Sequence, residues 1–149
     1  MRLERDEFSF ELLIVGYQFP ELADAEYDSN WLNVKIIVRH PEGDWSARDP
    51  ALLTYEVQEL AEWLRAVGSG GRETQEMAFL EPCLSFRVRS GDKRTDELEI
   101  ELAYEFRPPW AKDIDESATM LFPLNEVDLF TAAESLEHQL SKYPQRAER

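Results

Sequence analysis

Closely spaced carboxylates are the groups in this sequence with the clearest capacity for chemistry. They occur in two sets, one alternating along a predicted strand and the other crowded into a predicted loop. Carboxylates at alternate strand positions share a face and lie only about 7 Å apart. They repel one another, so binding a cationic partner would relieve a cost to folding. The first set is Glu97, Glu99, Glu101 and Glu105, and the second is Asp113, Asp115 and Glu116.

The glutamate row also has a simpler interpretation, as a solvated face of a sheet. The neighbouring predicted strand places Arg87 and Arg89 on the face that carries the glutamates, where they would neutralise part of the charge. At this stage both interpretations are open: a surface that binds a cationic partner, and an exposed face without a partner.

The chain has few residues that could act in catalysis. Nucleophilic catalysis needs a nucleophile beside a base, and the sequence has two histidines and one cysteine. We expect His40 and His138 to be surface residues, and Cys83 to be a small buried apolar residue. A glycosidase needs two carboxylates that flank one bond, whereas the periodicity directs the acids outward. We therefore predict that the protein is not an enzyme. An enzyme that uses paired carboxylates in a concave pocket remains a third hypothesis.

Metal binding is the other chemistry that abundant carboxylates allow. A calcium loop of the helix-loop-helix type needs oxygen ligands at alternate positions and a central glycine. Residues 24–30 (DAEYDSN) supply the alternation, but Ser29 stands where the glycine should fall and no helix is predicted before it. Residues 113–116 fit the requirement less well. We predict no metal and no cofactor.

Hydrophobic periodicity defines the elements that position these side chains. Alternation with period two predicts strands, and apolar residues at helical spacing predict two helices, with Thr54 and Asn125 as their N-caps. We expect Asp49 and Pro50 to end the third strand. The predicted strands are 8–16, 31–39, 45–47, 76–80, 84–89, 97–106 and 120–122, the helices 54–67 and 125–143, and a turn spans 90–94.

These elements indicate an α+β fold, with about six or seven mainly antiparallel strands and two helices packed against the sheet. A chain of 149 residues has the usual size of one domain, so we expect residues 1–149 to form a single domain. The order of the strands cannot be deduced from the pattern.

The charge of the chain limits its partners. With 31 acidic residues against 16 basic ones, the formal net charge is −15, although 43% of the residues are apolar. An acidic globule repels nucleic acid and anionic membranes and attracts basic protein surfaces. The charged N-terminus has no signal-peptide pattern, and a single cysteine fits a reducing compartment. We therefore expect a cytoplasmic protein that binds neither nucleic acid nor membrane.

Six short segments carry a resemblance to a known family. They cover most of the chain from the first predicted strand to Trp110, and they contain Trp, Pro and Gly residues at strand ends and turns. In these segments the sequence resembles the WapI-type bacterial immunity proteins. The segments are 16–20 (GYQFP), 27–32 (YDSNWL), 43–45 (GDW), 49–54 (DPALLT), 63–64 (WL) and 105–110 (EFRPPW).

The resemblance implies a small cytoplasmic protein that binds and blocks the toxic C-terminal domain of a contact-dependent toxin, often a nuclease acting on tRNA. It assigns no functional residues. Combined with the charge, it favours an acidic inhibitor that contacts a basic toxin domain through the two sets of carboxylates. The alternative is an acidic domain that binds a small molecule or a metal. The identity of the toxin and the oligomeric state stay open.

Overall fold

Two antiparallel sheets form the frame of the molecule in a computed structural model, which describes residues 1–91 and 95–147. Sheet one has the strand order β1-β2-β3-β4 and sheet two the order β5-β6-β7-β8. The middle of the turn predicted at 90–94 lies outside the described residues. The strands are β1 (Arg2–Arg5), β2 (Phe8–Tyr17), β3 (Trp31–Arg39), β4 (Trp45–Leu53), β5 (Glu76–Ala78), β6 (Leu84–Ser90), β7 (Asp96–Leu102) and β8 (Ala118–Pro123), and the helices are α1 (Thr54–Gly68) and α2 (Leu129–Leu140).

The predicted α+β class is confirmed, with a strand count slightly above the expected six or seven. The described residues form eight strands, arranged in two sheets of four. The strand that the sequence did not predict is β1, whose residues RLER are too charged to show alternation. It joins sheet one because Leu3 lies opposite Phe10 of β2 and is buried with it.

One hydrophobic core lies between the two sheets and the helices. Phe10 and Leu12 of β2 point into it and are fully buried, as the period-two pattern predicts. The ring of Phe10 meets Phe86 of sheet two edge to face, with centroids 6.3 Å apart. Trp63 of α1 packs against the same Phe86 ring at 6.4 Å. Both sheets and α1 therefore bury their apolar faces in the same interior.

Helix α1 is held at its first turn by the carboxylate of Glu56. Glu56 is buried, and its two carboxylate oxygens accept hydrogen bonds from the N–H groups of Leu53 and Leu80, each at 2.9 Å. The predicted N-cap was wrong: Leu53 occupies that position, and the Thr54 hydroxyl instead donates to Asn30 Oδ1. Glu56 therefore satisfies an orphan donor of the helix and ties α1 to the segment before β6.

Strand β4 continues through Asp49 and Pro50, where the sequence predicted its end. β4 is the outer strand of sheet one, and Pro50 lies opposite Asn33, beside a register shift between Leu32 and Asn33. A proline on an edge strand or at a bulge removes no essential ladder hydrogen bond. The prediction was wrong because it treated Pro50 as a strand breaker without knowing that the strand lies at an edge.

Helix α2 begins four residues later than predicted. Asn125 lies in a short 3₁₀ turn, and the N-cap is Asp128, whose carboxylate accepts a hydrogen bond from Thr131 N–H at 3.0 Å. This hydrogen bond lowers the pKa of Asp128.

The two helices are joined by Arg65, which donates to both carboxylate oxygens of Glu137 at 3.1 and 2.8 Å. Among the described residues no helix has the length and apolarity needed to cross a membrane.

Candidate functional site

Three of the four predicted members of the glutamate row lie side by side on β7. Glu97, Glu99 and Glu101 alternate along the strand with the fully buried Leu98 and Ile100, so they point to the outer face of sheet two. As predicted, arginines of β6 lie on the same face, with one opposite Glu97 and one opposite Glu99.

The middle glutamate of the row is neutralised by these arginines. Arg87 Nη2 and Nε donate to Glu99 Oε2 at 2.8 and 3.2 Å, and Arg89 Nη1 lies 3.9 Å from the same oxygen. The hydrogen bond and the charge of Glu99 raise the pKa of Arg87. Only 8% of the Glu99 side chain is exposed. Glu99 therefore stabilises the pairing of β6 with β7 and has little surface to offer a partner.

The outer members of the row keep their charge more accessible. Glu97 is half-buried and Glu101 is exposed, and neither forms an ion pair with any cation that the structure describes. The row is therefore two accessible carboxylates separated by a neutralised one. This arrangement is compatible with both interpretations, a partly neutralised solvated face and a surface that binds a cationic partner.

Glu105 does not belong to the row, contrary to the predicted strand 97–106. β7 ends at Leu102, and the chain turns into a 3₁₀ element at Tyr104–Phe106, in which Tyr104 has a positive φ of 48°. The turn buries Phe106 completely, and its carbonyl accepts a hydrogen bond from Trp45 Nε1 at 3.1 Å. The alternation of apolar and acidic residues extends beyond the end of β7, because the 3₁₀ turn also directs Phe106 inward and leaves Glu105 exposed.

The turn brings Glu105 to a group of residues that the sequence did not connect. Single ligand atoms of Asp49, Cys83 and Glu105 lie within 4.8 Å of one another, a group that could hold a metal ion. Burial, with the charges of Glu105 and Glu81, raises the pKa of Asp49. The three positions are far apart in sequence and no spacing rule joins them. The lone cysteine is the only signal in the sequence that could have pointed to this group.

The thiol of Cys83 holds its proton firmly. The cysteine is fully buried, as predicted, and burial together with the charges of Asp49 and Glu105 raises the pKa of its thiol to about 12. A metal is bound by the thiolate, so it would have to displace a firmly held proton. In the loop at 24–30, Asn30 is fully buried and hydrogen-bonded within the fold, so its side chain is not available as a ligand, whereas the carboxylates of the loop are exposed.

The second predicted set of carboxylates lies on an exposed loop. Asp113, Asp115 and Glu116 are all exposed, and within the described ranges none of them forms an ion pair. The Glu116 carboxylate accepts a hydrogen bond from the backbone N–H of Lys112 at 3.2 Å. The loop leads into β8, where Thr119 pairs with Glu101. It therefore lies at the same end of sheet two as the exposed glutamate of the row.

A second acidic segment contains residues 24–30, which the sequence presents as a poor match to a calcium loop. Residues 18–30, called the β2–β3 loop below, carry four carboxylates and a cluster of exposed apolar side chains. The loop is fixed at one end by Asn30, which is fully buried, and along its length by the side chain of Arg146. The sequence missed it as a candidate surface because its anchor lies more than 100 residues further along the chain.

The histidines occupy different environments. His138 is exposed near the end of α2. The half-buried His40 lies in an aromatic cluster, with its ring 5.2 Å from Phe8 and 5.4 Å from Trp110, and its Nδ1 accepts a hydrogen bond from the N–H of Glu42 at 3.1 Å. His40 therefore helps to fix the β3–β4 turn against Trp110.

Among the described residues, two grooves have volumes in the range of small-molecule sites. One, of about 550 Å³, runs between α1 and α2 and is lined by polar and acidic side chains that include Glu62 and Glu137. The other, of about 480 Å³, lies where the C-terminal end of α1 and the start of α2 meet β7. Ligand sites are typically apolar with a few convergent polar groups, and the acidic lining of the first groove departs from that pattern.

The fold and these surfaces define a class of protein, an α+β domain with a strong acidic excess and accessible carboxylates on several outer surfaces. The chain belongs to the WapI-like immunity protein family, whose family model matches residues 2–144. The resemblance seen in the sequence is therefore confirmed, and it supports the role of an immunity protein that binds a toxin. No curated protein and no solved structure matches the chain.

Proposed function

We propose that this protein is a cytoplasmic immunity protein that binds and blocks a basic, nuclease-type toxic domain of a contact-dependent toxin. Family membership and the net charge of −15 support this proposal. A nuclease carries a basic groove because its substrate is a polyanion. An acidic inhibitor is attracted to that groove over a long range and competes with the substrate for it.

The observation that carries the proposal is the accessible negative charge at one end of sheet two and in the neighbouring turn. Glu101, Glu105, Asp113, Asp115 and Glu116 are exposed, and no cation in the part of the chain that the structure describes forms an ion pair with them. Glu97 adds a half-buried carboxylate. Long-range attraction depends on charge rather than on fitted contacts, so these groups should act on the rate of association.

Charge reversal at this surface tests the proposal. The double variant Glu101→Lys and Asp115→Lys should associate with the toxin domain encoded by the adjacent gene roughly tenfold more slowly at low salt. Its association rate should also depend less steeply on salt concentration, because fewer charges steer the encounter. Stopped-flow fluorescence over a series of NaCl concentrations measures both quantities. Glu99 is left unchanged, because its pairing with two arginines would confuse stability with binding.

The matched control is a double reversal of exposed acids elsewhere, Glu7→Lys and Glu134→Lys. It changes the net charge by the same amount, so it should slow association much less if the surface near Glu101 does the steering. Equal slowing in both variants would show that only the total charge matters. Failure of the unmodified protein to bind the toxin domain or to block its nuclease activity would contradict the proposed function.

A further inference from the structure

Exposed apolar side chains are concentrated on the β2–β3 loop. Phe19, Leu22 and Tyr27 keep 40%, 38% and 51% of their surface exposed within nine residues. Aromatic side chains of this kind supply most of the binding energy in protein interfaces when they enter pockets of a partner. Large apolar side chains exposed this near one another in the sequence are candidates for an interaction surface, whereas exposed apolar residues scattered singly need no explanation.

The chemistry around these side chains specifies the partner. Glu21, Asp24, Glu26 and Asp28 lie between and beside them and are exposed. In the residues that the structure describes, none of the four carboxylates forms an ion pair. The loop therefore offers apolar groups inside a negative rim. The complementary surface is a cationic protein with apolar pockets, because an anionic membrane or a nucleic acid would be repelled.

The loop is held in shape before any partner arrives. Nη1 of the Arg146 guanidinium lies 3.3, 2.6 and 2.6 Å from the carbonyl oxygens of Phe19, Pro20 and Leu22, and its two N–H groups are shared among these three acceptors. The same guanidinium lies over the ring of Tyr17, 3.6 Å from its centroid. Arg146 thus binds the backbone of the loop through Nη1, and within the described residues it forms no ion pair with the carboxylates of the loop.

A second set of hydrogen bonds fixes the other end of the loop. The Ser29 hydroxyl accepts a bond from Ala25 N–H at 2.8 Å, and the amide of Asn30 donates to Glu26 C=O at 2.7 Å. Both Ser29 and Asn30 are fully buried. A loop already fixed in this way loses little conformational entropy on binding, which favours affinity.

We infer that the β2–β3 loop is the principal contact with the toxin domain, with Phe19, Leu22 and Tyr27 as its anchors and Arg146 as the residue that positions them. This inference rests on the proposed function and deepens it by naming the surface that holds the partner. The carboxylates near Glu101 control how fast the complex forms, and the anchors control how long it lasts.

The test compares anchor variants with variants of equally exposed apolar residues elsewhere. The double variant Phe19→Ser and Tyr27→Ser should bind the adjacent toxin domain at least about 30-fold more weakly, mainly through faster dissociation. The control is Leu80→Ser and Phe130→Ser, two side chains that are 62% and 42% exposed outside the loop. Surface plasmon resonance gives both rates, and thermal melting verifies that each variant folds.

The outcomes separate the inference from the proposed function. Wild-type affinity in the anchor variant, or an equal loss in the control, would overturn the inference while leaving the inhibitor role intact. No binding by the unmodified protein would remove both. Arg146→Gln gives a further readout: it should weaken binding and speed amide hydrogen exchange in residues 19–25, whereas a purely local role for Arg146 would leave the affinity unchanged.

Discussion

Replacing Asn30 by alanine tests whether one buried amide joins the β2–β3 loop to the rest of the fold. Its Nδ2 donates to Glu26 C=O at 2.7 Å and to Ala147 C=O at 3.2 Å. Its Oδ1 accepts from the Thr54 hydroxyl and from Arg146 N–H, both at 2.9 Å. One side chain therefore links the loop, the start of α1 and the segment that contains Arg146.

The expected loss of stability follows from these four hydrogen bonds. Each contributes about 1 kcal/mol net, so together they contribute about 4 kcal/mol. The backbone groups of Glu26, Ala147 and Arg146 are partly exposed and can bind water instead, whereas the Thr54 hydroxyl is buried and loses its partner. We expect Asn30→Ala to lower the free energy of unfolding by about 2 to 3 kcal/mol and Tm by roughly 5 to 10 °C.

Urea unfolding followed by tryptophan fluorescence measures this free energy. Asn33→Ala is the matched control, since Asn33 is half-buried and its amide makes one long hydrogen bond, to Tyr17 C=O at 3.4 Å. We expect the control to lose less than about 1 kcal/mol. A loss below about 0.5 kcal/mol for Asn30→Ala, within the range of ordinary surface substitutions, would refute the account of this amide as the link.

Two further predictions concern the group of acids around Cys83. Because burial and the charges of Glu105 and Glu81 raise the pKa of Asp49 above its ordinary value of 3.8, the ionised carboxylate destabilises the fold at neutral pH. Asp49→Asn should therefore have a higher Tm than the wild type at about pH 7. The difference should disappear near pH 3, where the Asp49 carboxyl is protonated in both the folded and the unfolded protein. A lower Tm of the variant at pH 7 would contradict this. The Cys83 thiol, buried and with its pKa raised to about 12, should resist a thiol-specific reagent such as DTNB in the native protein and react fully once guanidinium unfolds the chain; rapid labelling of the native protein would show that the thiol is accessible.

The sequence predicted best where the backbone was regular and each strand had one buried face. Alternation in β6 and β7 was enough to place Arg87 and Arg89 on the same face as the glutamates. It could not indicate that Glu99 would be nearly enclosed by both arginines, because that depends on the lengths and directions of side chains across the ladder. The resemblance to the family was carried by turn and strand-end residues, which the fold constrains most directly.

Prediction failed where one local pattern fits two structures. The apolar alternation from Leu98 to Phe106 is compatible with a long strand and equally with a strand that ends in a 3₁₀ turn, and tertiary contacts such as that of Trp45 with Phe106 decide between them. Pro50 is similar, because its effect depends on whether the strand lies at an edge. The Asp49 group and the fixation of the β2–β3 loop depend on residues distant in sequence, and periodicity contains no information about them.

The position of Arg146 has a consequence for the order in which the parts of the protein fold during synthesis. Its hydrogen bonds to the β2–β3 loop span 124 to 127 residues of chain, so the loop cannot take its final form until nearly all of the intervening polypeptide has left the ribosome. Contacts of such long range are among the last to form, because closing a large loop of chain is entropically costly. A polypeptide stalled after β8 and before Arg146 would therefore contain the strands of both sheets and still lack a correctly shaped β2–β3 loop.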